Sequence, residues 1–192
     1  ELSNAIAIAW LASGLDPDTT SFYRQSDVPE ITELAWLLSC ITEKGLLNRA
    51  HAYKAAVDQN NESGKKEMDE GISLGLFSYP LLMASDILTP NATHVPVGKD
   101  QQQHLEITRD IAEKFNSKYG KFFNVPEAVI QNEKTVLGTD GRKMSKSYNN
   151  IIPLLSTEKE LKKSVMKIVT NSQEPGEKKE WKDNTLFSIY SS

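Results

Sequence analysis

The chain has 192 residues, 39% of them apolar, and a formal net charge of −4. That length suits one domain and the start of another, and the acidic balance excludes a global basic field for nucleic-acid binding, so any RNA contact must be local. The single cysteine, Cys40, excludes an internal disulfide and a cysteine-rich zinc site. No apolar run approaches the roughly 20 residues of a membrane-spanning helix, and there is no secretory signal pattern.

In chain order, Leu2 to Ala12 is apolar with helical character, stopped by Gly14 and Asp16-Pro17. Ser21 to Gln25 reads as a short strand. Pro29 starts a helix through Leu34, Leu37 and Leu38, and Cys40 lies in its apolar run as a buried structural thiol. A further helix is expected over Glu43 to Val57, followed by a polar loop from Asn60 to Gly64. Ser78-Tyr79-Pro80 reads as a helix start, with Ser78 as N-cap and the helix stopping before Pro90. His94 to Val97 is β-prone. A helix from Asp100 to Phe115 places Leu105, Thr108, Ile111, Ala112 and Phe115 on one face. Ala128 to Ile130 and Thr135 to Leu137 are strand-like. Thr157-x-x-Glu160 is a capping box opening a helix to about Val169. Glu174 to Lys182 is linker-like, and Leu186, Ile189 and Tyr190 suggest a final helix. Short strands alternating with helices argue for a parallel α/β sheet, with an all-helical element beginning near residue 155.

Three stretches carry chemistry. In Asp140 to Ser147 an Asp-Gly turn leads to Lys143 and Lys146, with Ser145 and Ser147 between and after them. Two ammonium groups on one short loop can meet one anion, such as a phosphate whose charge grows during reaction; a solvated basic loop is the plainer reading. In Val95 to His104 a β-prone segment enters a helix through Gly98, a junction where α/β sheets bind ligands. Gly98 admits close approach to the backbone, and Asp100 either caps the helix or accepts hydrogen bonds from a ribose. In Tyr79 to Leu88, the spacing i, i+4, i+7 places Tyr79, Met83 and Asp86 on one helix face. An ionised Asp only accepts and an indole N–H only donates, so the two match; the plainer reading has Asp86 facing water near the helix end.

These stretches resemble known sequences. Lys-Met-Ser-Lys-Ser, residues 143–147, resembles the signature loop of class I aminoacyl-tRNA synthetases. Val95 to His104 resembles the adenosine-binding stretch of the tryptophanyl-tRNA synthetase family, with Lys99 where Glu is usual. Tyr79 to Leu88 resembles that family's tryptophan-recognition helix, with Ser85 where Ala is usual. The resemblance covers most of the chain from about Asp27 to Asn150. It implies a Rossmann-like parallel sheet with flanking helices, over residues 1–152, and the beginning of a helical anticodon-binding domain over 153–192. It implies that Lys143 and Lys146 stabilise the departing pyrophosphate as catalytic residues. Gly98, Lys99, Asp100, Val136, Lys143, Met144, Ser145, Lys146 and Ser147 would bind ATP. Tyr79, Met83, Asp86, Val97 and Gln101 would bind tryptophan. The implied partners are tryptophan, ATP with Mg²⁺ on its phosphates, and tRNA(Trp), in a cytoplasmic homodimer with Gln25 to Leu38 near the interface. That family carries a HIGH-type motif in its first strand-to-helix turn, often as TIGN. Neither form occurs here, so the chain is read as a central piece, incomplete at the N-terminus and inactive on its own.

The remaining candidates are weaker. His51, His94 and His104 lack metal-ligand spacing and suit surface or structural roles. Lys159, Lys162, Lys163 and Lys167 share a helix with Glu158 and Glu160, which makes a solvated face the default. Lys54 stays unassigned because the second lysine common in relatives is Ala56 here. Two rival functions are a tyrosine-specific synthetase of the same fold and a non-catalytic nucleotide- or RNA-binding module. A phenol both donates and accepts, and no Tyr/Asp pair that would read it is identifiable.

Overall fold

The computed structural model describes residues 2–130, 136–153 and 155–170, with Thr185 and Ile189. The helices are α1 (Leu2–Ala12), α2 (Glu30–Ser39), α3 (Lys44–Leu47), α4 (His51–Glu62), α5 (Leu74–Leu88), α6 (Gln102–Tyr119) and α7 (Glu158–Val165). The strands are β1 (His94–Val97) and β2 (Glu127–Ile130). The chain divides into two compact units, Phe22–Asn132, and Glu1–Ser21 with Glu133–Ser192. No helix among the described residues is long and apolar enough to cross a membrane.

The Phe22–Asn132 unit contains the βαβ element that the sequence pattern predicts. β1 pairs with β2 in parallel, from His94 opposite Glu127 to Val97 opposite Ile130, and α6 is the crossover between them. The expected face of α6 is observed: Leu105, Thr108, Ile111 and Ala112 are buried. The 3₁₀ turn Lys99–Gln101 precedes the helix, and Gly120, at φ 94°, ends it beyond the expected Phe115. The main core joins Leu38 of α2, Leu81, Ala84 and Leu88 of α5, and Ile107, Ile111 and Ala112 of α6. A second cluster, Ile87, Val97 and Leu105, ties α5 and α6 to β1.

Several local expectations change under tertiary packing. Helix α5 starts after Ser73, whose hydroxyl accepts from the Leu76 N–H at 3.1 Å; it does not start at Ser78. The Ser78 hydroxyl instead donates back to the Leu74 carbonyl, and Pro80 lies inside the helix, fully buried. An internal proline costs a helix about 3 kcal/mol. Burying Pro80 with Leu81 and Ala84 offsets that cost. The helix expected over Glu43 to Val57 breaks into α3 and α4, because Ala50 is extended. The break is held from α6: Gln103 accepts from the His51 N–H at 2.9 Å and donates to the Arg49 carbonyl at 2.8 Å. Asn60 is not in a loop but in α4, buried, donating to the Met68 and Glu70 carbonyls. Ser21 to Gln25 pairs with no strand among the described residues; Gln25–Asp27 is a 3₁₀ turn closed by an Arg24–Asp27 ion pair of 2.9 Å. Cys40 is exposed, not buried, because Ile31 and Leu38 define the inner face of α2 and Cys40 falls off it.

In the other unit, α1 has the predicted bounds but buries none of its residues, and Leu2 is 83% exposed. Of the Thr135 to Leu137 strand, Thr135 lies outside the described residues, and Leu137 forms a single antiparallel bridge to Lys143. The capping box at Thr157 is complete: its hydroxyl accepts from the Glu160 N–H, and the Glu160 carboxylate accepts from the Thr157 N–H. Helix α7 ends at Val165, short of Val169, and the Val169 N–H then bonds the Thr139 carbonyl at 2.9 Å. Thr157→Ala is expected to cost about 1 kcal/mol of helix stability, typical of N-cap removal. Faster amide exchange across Glu158–Val165, with exchange in α6 unchanged, is the expected readout. The linker reading of Glu174 to Lys182 lies outside the described residues, as do Leu186 and Tyr190 of the last expected helix.

Candidate nucleotide and amino-acid site

In the Phe22–Asn132 unit the residues singled out from the sequence gather on α5, β1 and the start of α6. Tyr79, Met83 and Asp86 are each half-buried on α5. Met83 packs against the Ile87–Val97–Leu105 cluster, in which Val97 is buried. The Tyr79 hydroxyl is hydrogen-bonded to His104 Nε2, which joins α5 to α6. Burial raises the Tyr79 pKa. Burial, then the charge of His51, lower that of His104, against an opposing pull from Asp100. His104 is buried, and its contact with Tyr79 ties the start of α6 to α5.

Asp86 does not point free into water. The Gln25 side-chain amide donates to both carboxylate oxygens, at 2.8 and 2.9 Å. The two residues are 61 positions apart. No motif marks Gln25, which the sequence reading placed at the end of a short strand and near a dimer interface. An ionised carboxylate offers about four acceptor positions, so one amide leaves capacity for a second donor.

The strand-to-helix turn after β1 is shaped by Gly98 and Asp100. A Cβ at residue 98 would stand 2.8 Å from Asp100 Oδ1, so a side chain there would displace the Asp100 carboxylate. Asp100 accepts from the Gln101 amide at 2.9 Å, and Lys99 and Asp100 are exposed. A separate cleft between α6 and β2, lined by Gln102, Leu105, Glu106, Arg109, Glu127 and Ala128, contains none of these residues. Its mixed charge does not suit a polyphosphate.

The Lys143–Ser147 loop belongs to the other unit. Two backbone bonds close the turn before it: Gly138 N–H to Arg142 carbonyl, 2.7 Å, and Met144 N–H to Val136 carbonyl, 2.9 Å. Gly141 sits at the predicted turn with φ 79°, a left-handed conformation that favours glycine. Lys146–Tyr148 is a 3₁₀ turn ended by Asn149 at φ 51°. The hydroxyls of Ser145 and Ser147 are 2.7 Å apart. Lys143 and Lys146 are exposed, and neither forms an ion pair among the described residues. The adjacent Arg142 is committed instead: it bonds Asp140 through its backbone N–H and its guanidinium and lies 4.6 Å over the Tyr148 ring.

Asp140 is pulled down to about 2, first by the hydrogen bond from Asn150, then by the bonds and charge of Arg142. A depressed carboxylate contributes stability above its unfolded value of 3.8 and loses it as pH falls through the folded value. A carboxyl-carbon NMR titration of Asp140 should therefore show a midpoint near 2. A midpoint at the ordinary aspartate value would mean that the Asn150 and Arg142 contacts do not persist in solution.

A parallel βαβ element with helices on its faces places this chain among the α/β proteins with a Rossmann-type sheet. More narrowly, the chain belongs to the class I tRNA synthetases of the tryptophan and tyrosine (W and Y) family, whose model matches residues 1–192. It is 56% identical over 189 residues to a tryptophan–tRNA ligase of Neisseria meningitidis, covering 98% of this chain and 56% of that protein. It is 57% identical over 189 residues to the tryptophan–tRNA ligase of Pseudomonas putida, covering 96% and 42%. Among solved structures, tryptophanyl-tRNA synthetase from Campylobacter jejuni, complexed with ADP and tryptophan, superposes with a TM-score of 0.82 at 48% identity. That match covers 97% of this chain and 56% of the other. The chain spans about half the length of the relatives it matches.

Proposed function

We propose that the protein carrying this chain is a tryptophan–tRNA ligase. The tryptophan carboxylate attacks the α-phosphate of ATP, the bond to the β-phosphate breaks, and pyrophosphate leaves, giving tryptophanyl-adenylate. A terminal ribose hydroxyl of tRNA(Trp) then attacks the activated carbonyl, and AMP departs. No side-chain nucleophile is needed; positioning and charge stabilisation supply the rate.

The observation that carries the reading is Asp86. It is a half-buried carboxylate on the same helix face as Met83 and Tyr79, oriented by a neutral amide and not by a cation. An acceptor of this kind suits the indole N–H, with Met83 and Val97 supplying the apolar wall and Gln101 the polar end. Gly98, Lys99 and Asp100 hold the adenosine at the strand-to-helix turn; Val136, in the other unit, is assigned to ATP through its backbone. Lys143 and Lys146 take the charge of the leaving pyrophosphate, with Met144, Ser145 and Ser147 completing the loop. Mg²⁺ comes bound to the ATP phosphates and neutralises part of their charge. The same reading assigns residues 1–152 to the catalytic domain and 153–192 to the start of a helical anticodon-binding domain, in a cytoplasmic homodimer. The C. jejuni structure with ADP and tryptophan supports the ligand classes.

The test is ATP–pyrophosphate exchange by the full-length protein with each of the twenty amino acids. Exchange dependent on tryptophan, and at least 100-fold weaker with tyrosine, is expected. Exchange driven by tyrosine, or by no amino acid, would overturn the proposal.

A further inference from the structure

Asn150 lies outside every assignment made above, yet it is the most constrained polar residue around the lysine loop. It is only 2% exposed. Its Oδ1 accepts from the Ser145 N–H at 2.8 Å. Its Nδ2 donates to Asp140 Oδ1 at 2.7 Å and to the Lys143 carbonyl at 3.2 Å. Its own carbonyl accepts from the Thr139 N–H at 2.9 Å. One side chain thus fastens the backbone at Lys143 and at Ser145, on either side of Met144, and ties both to the Asp-Gly turn.

The fit leaves no room for a side chain opposite. A Cβ on residue 138 would stand 2.3 Å from the Asn150 amide, so Gly138 is the empty place into which that amide fits. The chemistry is specific as well. The pattern needs one acceptor and two donors on one short planar group, and among side chains of this length only the asparagine amide offers both. An aspartate keeps the shape but cannot donate when ionised, and it would set a second negative charge against Asp140, which is already held ionised. Lys143 and Lys146 themselves have no ion pair among the described residues to fix them. Their directions follow from the backbone that carries them, and Asn150 shapes that backbone.

We infer that Asn150 is the positioning residue of the lysine loop, holding the backbone from Lys143 to Ser145 in the form that presents both lysines to the pyrophosphate as it leaves. This rests on the proposed ligase reading, and it adds to that reading a residue that touches neither substrate. Rigid presentation matters because a group that must be ordered during reaction gives back much of what it gains.

The experiment compares the full-length parent with Asn150→Asp, which preserves volume under Gly138, in tryptophan-dependent pyrophosphate exchange. A fall in kcat of about 30-fold or more is expected, with KM for tryptophan and KM for ATP within threefold of the parent, because the residue touches neither ligand. Trypsin cleavage after Lys143 in the native variant should accelerate about tenfold, a readout that needs no activity. Should Asn150→Asp fail to fold, Asn150→Ser, which is too short to reach Asp140 and Ser145 together, decides by the same measurements. A kcat within threefold of the parent, or equal losses in kcat and both KM values with unchanged cleavage, would overturn the inference while leaving the ligase reading intact. A parent with no tryptophan-dependent exchange would sink the ligase reading itself, and unchanged tryptic cleavage would then overturn the inference separately.

Discussion

Lys146→Ala should slow tryptophan-dependent pyrophosphate exchange by two to three orders of magnitude while leaving tryptophan affinity nearly unchanged. Lys146 is exposed on a 3₁₀ turn and has no ion pair among the described residues, so its removal disturbs no structure. Its proposed contact is with charge that develops only as the α–β phosphate bond breaks, and an interaction present only in the transition state appears in kcat. Removing one preorganised donor of this kind commonly costs about 2.7–4 kcal/mol. The loop around it should keep its form, because Asn150, Asp140 and Arg142 hold the turn without it. Single-turnover adenylate formation separates the chemical step from product release. An unchanged rate would remove Lys146 from the reaction.

Asp86→Ala has the second largest expected effect, a rise in the tryptophan dissociation constant of roughly ten- to a hundredfold, because a hydrogen bond to a charged group is worth about 1.5–3 kcal/mol. ATP affinity should stay within threefold, since the adenosine turn at Gly98 is shaped by Asp100 and not by Asp86. The fold should survive as well. The amide released by the mutation belongs to Gln25, which is exposed and can turn to water. Calorimetric titration with tryptophan and with an ATP analogue resolves the two affinities. Parallel loss of both would mean that the substitution damages α5. An unchanged tryptophan constant would return Asp86 to its plainer reading as a helix-end carboxylate.

The same two residues show how far a sequence reading reaches. The spacing of Tyr79, Met83 and Asp86 places all three on one face for any helix through them, and α5 obeys. The period of Leu105, Ile111 and Ala112, the β-prone Val95 and Val97, the Thr157–Glu160 box and the Asp140-Gly141 turn are local in the same sense. Each depends on dihedral preferences and contacts within a turn or two of chain, which the order of residues by itself determines.

What only the tertiary structure decided depends on partners far away in sequence. Helix α5 runs through Pro80 because the core accepts that face, although local rules start a helix there. Gln103 of α6 divides α3 from α4 by satisfying backbone groups 52 and 54 residues away. Gln25 reaches Asp86 across 61 residues, and Cys40 stays outside because Ile31 and Leu38 claim the inner face. Asn150 carries no signal in the sequence and becomes the buried centre of a turn because Gly138 leaves it space. Polar side chains such as these carry no periodicity. Their roles follow from which unpaired backbone or carboxylate group the fold delivers to them, because a buried polar group must find a partner and the chain's path determines which one is in reach.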